Sequence, residues 1–306
     1  MTKFLIKIAL FITLFFFVEK IFYVFLHISP NLEADKRLEK LITGKINKDI
    51  IILGSSRGAR NVISSQIEDS LHLSAYNLSY PGSDVEFHEF ILRTLLKFNK
   101  PPKILILVVD DPSELLVAET INFRNDVLYP LSKYNYINNE LIKRGEKNYL
   151  SHFLILSRIN KMNFNLSYKK FSELDSVGVD GSMPISFQKQ NVKFRFNNRT
   201  SKYSSMEELP EKISAYSKIQ DLCELTNTKL IVAFPPNFQN HDILFEERLK
   251  VLANPGVSFY VYDQSEKRYR DNSYYYDVSH LQKKGAIIFT GELILRIKNQ
   301  FNFTKI

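Results

Sequence analysis

An apolar stretch covers residues 4–28 and is broken only at Lys7 and at the adjacent Glu19 and Lys20. Because about 20 apolar residues suffice for a helix to cross a bilayer, this pattern predicts a transmembrane anchor within residues 1–28. A cleaved signal peptide is the competing interpretation, but no cleavage site with small residues follows the apolar core. An interfacial helix also stays open, since the Glu–Lys pair is costly in lipid.

The rest of the chain alternates apolar runs with amphipathic segments. Strands are predicted in KDIIILG, AYNLSYPG, PPKILILVVDD, KLIVAFPP and VSFYVYD. Most of these runs lack polar alternation, which is typical of parallel strands buried on both faces. Helices are predicted between them, over residues 57–72 and 242–252 and in DVEFHEFILRTLLKFNK, EELPEKISAYSKIQDLCELT and KKGAIIFTGELILRIKNQF. This order predicts a three-layer α/β/α sandwich with a mostly parallel sheet.

The same alternation sets the predicted domain boundaries. Residues 29–47 are expected to form a stem or linker, and residues 48–306 one α/β domain. Residues 112–205 break the alternation; they contain two helical pieces, INNELIKRGE and LSHFLILSRINKMN, and a glycine-rich turn. We interpret them as an insertion after the third strand. Ligands bind at the carboxyl ends of such strands, so the insertion is expected to shape a substrate cleft.

Composition narrows the classes of function. The 306 residues carry a formal net charge of +8, but the Lys and Arg residues are scattered and form no basic helix or stripe, so no nucleic-acid partner is expected. Such a surface favours anionic polymers or lipid headgroups instead. The single cysteine, Cys223, excludes an intramolecular disulfide framework and a cysteine-rich metal site. It lies in a predicted helix and is expected to be a buried structural thiol.

Small hydroxylated residues follow the first predicted strand, in ILGSSRGAR. The segment contains neither G-x-x-x-x-G-K-[ST] nor G-x-G-x-x-G, so a phosphate-binding loop is only weakly supported. Two interpretations stay open from this stretch alone. Either Ser55 or Ser56 caps the next helix, or one of them is a nucleophile held at the end of a strand.

A second motif stands before the last predicted helix, in YYYDVSHLQKKGA, where Asp277 and His280 are three residues apart. A serine becomes a nucleophile when a histidine removes its proton, and a carboxylate orients that histidine. A tight D-x-x-H turn places the carboxylate beside its own histidine while the ring faces a serine across the cleft. Alone, the motif is a weak signal, and a capping aspartate and a surface histidine are its default interpretation. The pair of motifs is far more specific than either one.

Together the two motifs resemble those of the SGNH, or GDSL-type, hydrolases. The first block of that family is Gly-Asp-Ser, where this chain has Gly54-Ser55-Ser56. The resemblance therefore puts Ser56 at the nucleophile position. The last block, Asp-x-x-His, is matched by Asp277 and His280, which implies that His280 is the base and Asp277 the group that orients it.

The resemblance also implies an oxyanion hole. NLSYPGSD matches the second block of the family and makes Gly82 the implied backbone donor, beside the N–H of Ser56. The similarity covers roughly residues 48–110 and 210–300, and it implies a flavodoxin-like sheet. It implies no cofactor and no metal.

The third block departs from the family pattern. Where the family has Gly-x-Asn-Asp, this chain has VVDDPSE, so Asp110 or Asp111 stands in place of an oxyanion donor. An ionised carboxylate cannot donate a hydrogen bond. Asn77 and Asn237 are candidate replacements, and we take Arg57, Asn77, Asp110 and Asp111 as possible substrate contacts.

A membrane anchor before such a domain resembles a narrower set of bacterial proteins, including those of alginate O-acetylation and D-alanine transfer, that modify cell-envelope polymers. This resemblance implies a single-pass protein of the cytoplasmic membrane with its domain in the periplasm. It also implies an acyl ester hydrolase or O-acyltransferase, with acetyl the preferred group. The substrate would be a surface polysaccharide or other acylated glycan, and a membrane-bound acyltransferase the partner.

Two other functions stay open from the sequence. One is a non-catalytic glycan-binding or assembly protein that keeps the fold, which the aspartates of VVDDP favour. The other, less supported, is a phosphate- or nucleotide-binding protein. The distance between the Ser56 hydroxyl and the His280 ring separates them, because only the catalytic hypothesis requires that these groups meet.

Overall fold

The computed structural model describes residues 1–109, 112–118, 120–187, 194–198 and 203–300. The chain divides into two compact units. Unit 1 consists of Met1–Glu39 and Arg124–Phe171, and unit 2 consists of Lys40–Phe123 and Ser172–Ile306. The predicted stem and the predicted insertion are thus each divided between the two units.

Unit 2 contains a sheet of five parallel strands. These are β1 (Ile50–Gly54), β2 (Ala75–Asn77), β3 (Ile104–Val108), β4 (Lys229–Phe234) and β5 (Ser258–Val261). Their order is β2-β1-β3-β4-β5, and each adjacent pair is parallel. The five predicted strands are confirmed. At the carboxyl edge, Gly54, Val108 and Ala233 are in register, and the strand order reverses between β1 and β3.

The described residues contain twelve α-helices. They are α1 (Thr2–Ile21), α2 (Tyr23–Leu32), α3 (Arg37–Ile42), α4 (Ser56–Asn61), α5 (Ser64–Leu71), α6 (Val85–Phe98), α7 (Asn125–Leu128), α8 (Asn135–Lys143), α9 (Ile155–Arg158), α10 (Pro210–Leu225), α11 (Ile243–Val251) and α12 (Lys283–Gln300). The start signals of the long helices are local. Asp84 accepts the N–H of Phe87 at the start of α6, and Pro210 occupies the first turn of α10.

Strand side chains are buried on both faces of the sheet. In β1, residues Ile50, Ile51, Ile52 and Leu53 are all fully buried, which explains why the sequence shows no polar alternation there. One face shares a core cluster with side chains of α5 and α12. Helices α6 and α10 contact each other, and they contact β1 and β4 respectively. Cys223 of α10 is buried, as expected, and burial raises the pKa of its thiol to about 12.

The helix predicted over residues 57–72 is wrong as a single element, because α4 and α5 are separated by Val62 and Ile63. Both residues have extended backbone angles. Both are β-branched, which lowers helix propensity, and both enter the core cluster. The N–H of Ile63 donates to the side chain of Thr290 at 3.1 Å, so this donor stays paired although the helix is interrupted.

The helix predicted in LSHFLILSRINKMN is likewise interrupted. Helix α9 stands there alone between two 3-10 turns, Tyr149–His152 and Lys161–Phe164. Asn160 and Asn163 form a reciprocal capping box at the second turn. The apolar spacing predicts one continuous helix here. In the structure, side chains such as those of Asn160 and Asn163 bind the backbone groups at the ends of the short turns instead.

Unit 1 is built on the N-terminal helices. Helices α1 and α2 together form a helical stretch, Thr2–Leu32, that is long and apolar enough to cross a membrane. Glu19, the costly residue of this stretch, is buried and ion-paired to Lys20 at 2.9 Å, and its carboxylate also accepts the N–H of Ile155. Phe164 packs its ring against Phe22 and Phe25. The helix is thus a structural part of unit 1.

Candidate active site

The predicted nucleophile lies where β1 gives way to α4. Gly54 ends the strand, and Ser56 is the first residue of the helix. A Cβ at Gly54 would lie 2.7 Å from the carbonyl oxygen of Val108, so only glycine permits β1 and β3 to approach this closely here. Because Ser56 opens the helix, its N–H has no acceptor within the helix.

The structure brings Ser56, His280 and Asp277 into one hydrogen-bonded chain. The Ser56 Oγ lies 2.8 Å from Nε2 of His280. The other ring nitrogen, Nδ1, lies 2.9 Å from both carboxylate oxygens of Asp277. An ionised carboxylate only accepts hydrogen bonds, so the ring proton belongs on Nδ1. Nε2 is then the acceptor of the Ser56 hydroxyl, which is the arrangement that proton abstraction requires.

Asp277 is held by the backbone that follows it. Its Oδ1 accepts the N–H groups of Ser279 and His280 at 2.8 and 2.9 Å. Burial alone would raise the pKa of Asp277, but the hydrogen bond and charge interaction with the His280 ring and these backbone donors outweigh it and hold the pKa below its usual value. Asp277 therefore stays ionised beside His280 near neutral pH.

Asn61 connects the element that carries Ser56 to the loop that carries His280, and no motif in the sequence indicates this role. Asn61 is the last residue of α4 and is fully buried. Its Oδ1 accepts the N–H of Leu281 at 3.0 Å, next to His280. One side chain thus links the helix that starts at Ser56 to the loop that carries the histidine.

Asn77 supports the fold and not a substrate, which corrects its predicted role as a donor or substrate contact. It is fully buried. Its amide nitrogen donates to the carbonyls of Gly58 and Val62 at 2.9 and 3.0 Å, and its oxygen accepts the N–H of Ser79 at 2.9 Å. These contacts fix α4 against β2, so Asn77 acts on Ser56 through the helix.

The two arginines after Ser56, Arg57 and Arg60, are also buried. Arg57 donates to the carbonyl of Pro235 at 2.7 Å, and Arg60 pairs with Asp175 at 3.0 Å. Arg57 lines a small cavity at the end of β4 together with Asn237. Among the described residues, its Nε has no hydrogen-bond partner. Arg57 therefore anchors α4 to the loop after β4.

Ser55 does not cap α4 with its side chain, although it occupies the capping position. Its carbonyl accepts the N–H of Ala59, and its side chain is buried. The capping hypothesis for the two serines is therefore wrong for Ser55. Asp110 and Asp111, the predicted third-block residues, lie outside the described residues.

Gly82 stands in a turn that is tied to the end of β1. The N–H of Tyr80 donates to the Gly54 carbonyl at 3.0 Å, and the N–H of Ser83 donates to the Tyr80 carbonyl at 3.2 Å. Gly82 itself has a φ of 72°, a conformation that glycine adopts without strain. The turn that contains Gly82 is thus hydrogen-bonded to Gly54, two positions before Ser56.

A second serine–histidine contact, between Ser83 and His88, stabilises the same turn. Nε2 of His88 lies 3.0 Å from the Oγ of Ser83, whose hydroxyl donates to the Tyr80 carbonyl. Both side chains are buried, and burial lowers the pKa of His88 to about 3. A neutral histidine without access to solvent is a structural group, so this pair is not a second catalytic site.

The hydrogen-bonded arrangement of Ser56, His280 and Asp277 is the one that a serine nucleophile requires. No cluster of three or more His, Cys, Asp or Glu side chains able to hold a metal ion occurs among the described residues. No protein-family model and no curated protein matches the chain.

Proposed function

We propose that the protein is a serine-dependent acyl ester hydrolase or O-acyltransferase of the SGNH type. The observation that carries this proposal is the continuous hydrogen-bonded chain from Ser56 through His280 to Asp277. The three residues come from two motifs more than 200 positions apart, and their side chains have no structural need to meet. Each is at least partly accessible, as a site that receives a substrate must be.

In the first half of the reaction, Ser56 Oγ attacks the acyl carbonyl carbon while Nε2 of His280 takes the hydroxyl proton. The carbonyl electrons move onto its oxygen, and the N–H groups of Ser56 and Gly82 stabilise that charge. The intermediate collapses when the bond to the leaving oxygen breaks and His280 gives that oxygen its proton. An acyl-serine remains, and Asp277 has balanced the transient imidazolium throughout.

In the second half, an acceptor hydroxyl attacks the acyl-serine. His280 removes its proton and then returns it to Ser56 Oγ as the serine leaves. Water as acceptor gives hydrolysis, and a glycan hydroxyl gives acyl transfer. The same residues therefore support both reactions, and access of the acceptor decides between them.

The fold supports the assignment to the SGNH type. The strand order β2-β1-β3-β4-β5 is that of flavodoxin-like doubly wound sheets, which bind ligands where the strand order reverses. Ser56 follows β1 at that reversal. Helices on the two faces would make unit 2 the three-layer sandwich that the family resemblance implies.

The substrate we propose is an acylated polysaccharide of the cell envelope. The helix Thr2–Leu32 supports a membrane anchor, and the resemblance to envelope-modifying proteins supports an extracytoplasmic domain and a membrane-bound acyltransferase as partner. Cells carrying Ser56→Ala should then differ from wild type in the O-acyl content of the isolated envelope polysaccharide. Identical O-acyl content in both strains would contradict this choice of substrate.

Hydrolysis of p-nitrophenyl acetate by the full-length protein in detergent tests the chemistry directly. We expect Ser56→Ala and His280→Ala each to lower kcat by about 10⁴-fold or more. Ser55→Ala is the matched control, because the side chain of this neighbouring buried serine forms no hydrogen bond with His280, and it should hydrolyse the ester as wild type does. A fluorophosphonate should label wild type and Ser55→Ala at Ser56 only.

The alternative, a non-catalytic glycan-binding or assembly protein, depended on Asp110 and Asp111. It predicts that glycan binding survives Ser56→Ala and that wild type turns over no ester. Equal ester hydrolysis by wild type and Ser56→Ala would instead show that Ser56 is not the nucleophile.

A further inference from the structure

Two groups of large apolar side chains are exposed on unit 1, beside the N-terminal helices. The first group is Tyr149, Leu150 and Phe153; the second is Phe164, Leu166 and Tyr168. All six are between 48% and 71% exposed. A water-surrounded stem gains nothing from such exposure, since apolar groups of this size normally cover one another or a partner.

The first group lies next to the end of α1. The N–H of Ile155 is bound by the carboxylate of Glu19, so the chain immediately after Phe153 is fixed at the level of Glu19. The rings of Tyr149 and Phe153 lie 6.5 Å apart, on a 3-10 turn that packs against α9. The exposed rings of this group are therefore held near the carboxyl end of α1.

The second group is fixed farther along the N-terminal helices, from Phe22 onward. Phe164 contacts the ring of Phe22 at 6.4 Å and that of Phe25 at 5.0 Å. Farther along, Lys169 donates its N–H to the Leu32 carbonyl at 2.8 Å and pairs with Glu33 at 2.6 Å. These contacts place Leu166 and Tyr168 between the level of Phe25 and the end of α2.

The length of α1 sets where a bilayer would end. Helix α1 has 20 residues, about the number that spans the hydrocarbon core at 1.5 Å per residue. Its last turn contains Glu19 and Lys20, and Lys20 is the kind of long cation that reaches the headgroups. The first apolar group is attached at this turn and the second from Phe22 onward, so both lie on the side of the turn where the membrane–water interface begins.

The composition of residues 140–171 is typical of a segment at the membrane–water interface. Tyrosine is enriched at the interface because its ring is apolar and its hydroxyl end polar, and phenylalanine and leucine form the apolar face of segments that lie there. Residues 140–171 also contain seven Lys and Arg but only two Glu, a balance that attracts anionic headgroups. We propose that residues 149–153 and 164–168 insert into the interface of the leaflet in which α1 ends, so that unit 1 is seated on an anionic bilayer surface. This proposal rests on the membrane anchor of the proposed function.

The chain contains no tryptophan, so the fluorescence of a single introduced tryptophan reports the surroundings of that position without emission from other tryptophans. Phe153→Trp and Leu166→Trp probe the two groups, and Phe11→Trp probes the proposed span itself. Leu225→Trp, at an 82% exposed position of unit 2, is the matched control. Each full-length variant is reconstituted into vesicles of phosphatidylcholine and phosphatidylglycerol, with and without brominated acyl chains, and circular dichroism and ester hydrolysis check its fold.

We expect the brominated lipid to quench most of the emission at residues 11, 153 and 166, and to leave that at residue 225 unchanged. Quenching at residue 11 alone would overturn the proposal while leaving the anchor intact. A blue-shifted but unquenched tryptophan at 153 or 166 would also overturn it, because a protein surface would then cover the group. Loss of quenching at residue 11 itself would contradict the anchor.

Discussion

At the scale of single residues, Asp277 has two separable tasks. Its Oδ1 closes a turn by accepting the N–H groups of Ser279 and His280, and its charge faces Nδ1 of the histidine ring. The first task needs only an oxygen, whereas the second needs an anion. A substitution that keeps the oxygen and removes the charge therefore isolates the contribution to catalysis.

Asp277→Asn should lower kcat for p-nitrophenyl acetate by about 10⁴-fold, because an amide permits the wrong histidine tautomer and does not stabilise the imidazolium. Asp271→Asn is the matched control. Asp271 closes a similar turn by accepting the N–H of Ser273 at 2.8 Å, but it is exposed and has no histidine beside it. A variant of Asp277 with unchanged kcat would show that this carboxylate only shapes the loop.

His88 makes stability depend on pH. Its pKa is lowered by burial from 6.5 to about 3, so between these values the unfolded chain binds a proton that the folded chain does not. The folded state therefore loses stability as pH falls from 6.5 toward 3, and this contribution is constant above pH 6.5.

We expect the loss to reach about 2 kcal/mol between pH 6.5 and pH 5. His88→Gln keeps a donor for Ser83 but cannot titrate, so its free energy of unfolding should fall less over this range. The measurement is chemical unfolding of both proteins across the pH series, and the difference between them cancels the other titrating groups. Parallel curves for the two proteins would contradict a neutral, buried His88.

The residues that meet in the site were predictable because each sits in a short motif with a chemical logic. Ser56 follows a buried strand, and D-x-x-H pairs a carboxylate with its own histidine. The surroundings were not predictable in the same way. Arg57 and Asn77 are polar residues near the nucleophile, and only the tertiary contacts show that both donate hydrogen bonds to backbone carbonyls.

At the scale of elements, strands were predicted better than helices. A parallel strand buried on both faces is a continuous apolar run, and that signal does not depend on its neighbours. Helix boundaries depend on which groups satisfy the end carbonyls and N–H groups. The break at Val62 and Ile63 uses a hydroxyl from Thr290, more than 200 positions away, and no local pattern indicates such a partner.

Helix α4 positions Ser56. With only six residues, this helix is too short to be stable without contacts from the rest of the protein. Asn77→Ala would leave the carbonyls of Gly58 and Val62 and the N–H of Ser79 buried without their partner. We expect a loss of roughly 2–5 kcal/mol of stability, and a fall in kcat of about 10²-fold from misplacement of the serine.

Asn47→Ala is the control for this prediction. The Asn47 side chain also makes hydrogen bonds, to Gly44 and Lys100, but it is exposed, so water replaces them. Chemical unfolding and ester hydrolysis measure the two effects. Asn77→Ala with the stability and kcat of Asn47→Ala would show that α4 does not depend on this amide.

At the scale of the whole molecule, the division into units follows contacts and not chain order. Residues 29–47 were predicted as a stem and 112–205 as an insertion, but part of each joins in unit 1. The contacts responsible, such as Glu33 with Lys169, join residues 136 positions apart. Apolar spacing predicts that a helix buries a face, but it does not indicate which distant segment covers that face.

Removing residues 1–39 should therefore unfold part of the chain that lies far away in sequence. Residues 124–171 would lose the ring contacts of Phe164 and both contacts of Lys169. We expect amide exchange in Lys161–Phe164 to lose its protection, while β1 and α12 keep theirs and ester hydrolysis persists, because Ser56, Asp277 and His280 all belong to unit 2.

Removing only residues 1–21 is the matched control for that experiment. This shorter deletion keeps the contacts of Phe22 and Phe25 with Phe164 and those of Leu32 and Glu33 with Lys169. It should preserve protection at Lys161–Phe164, because the residues lost are those of α1 alone. Equal protection after both deletions would show that residues 124–171 fold without the N-terminal helices. Unit 1 would then be two independent pieces, and the chain could be shortened at Lys40 without cost.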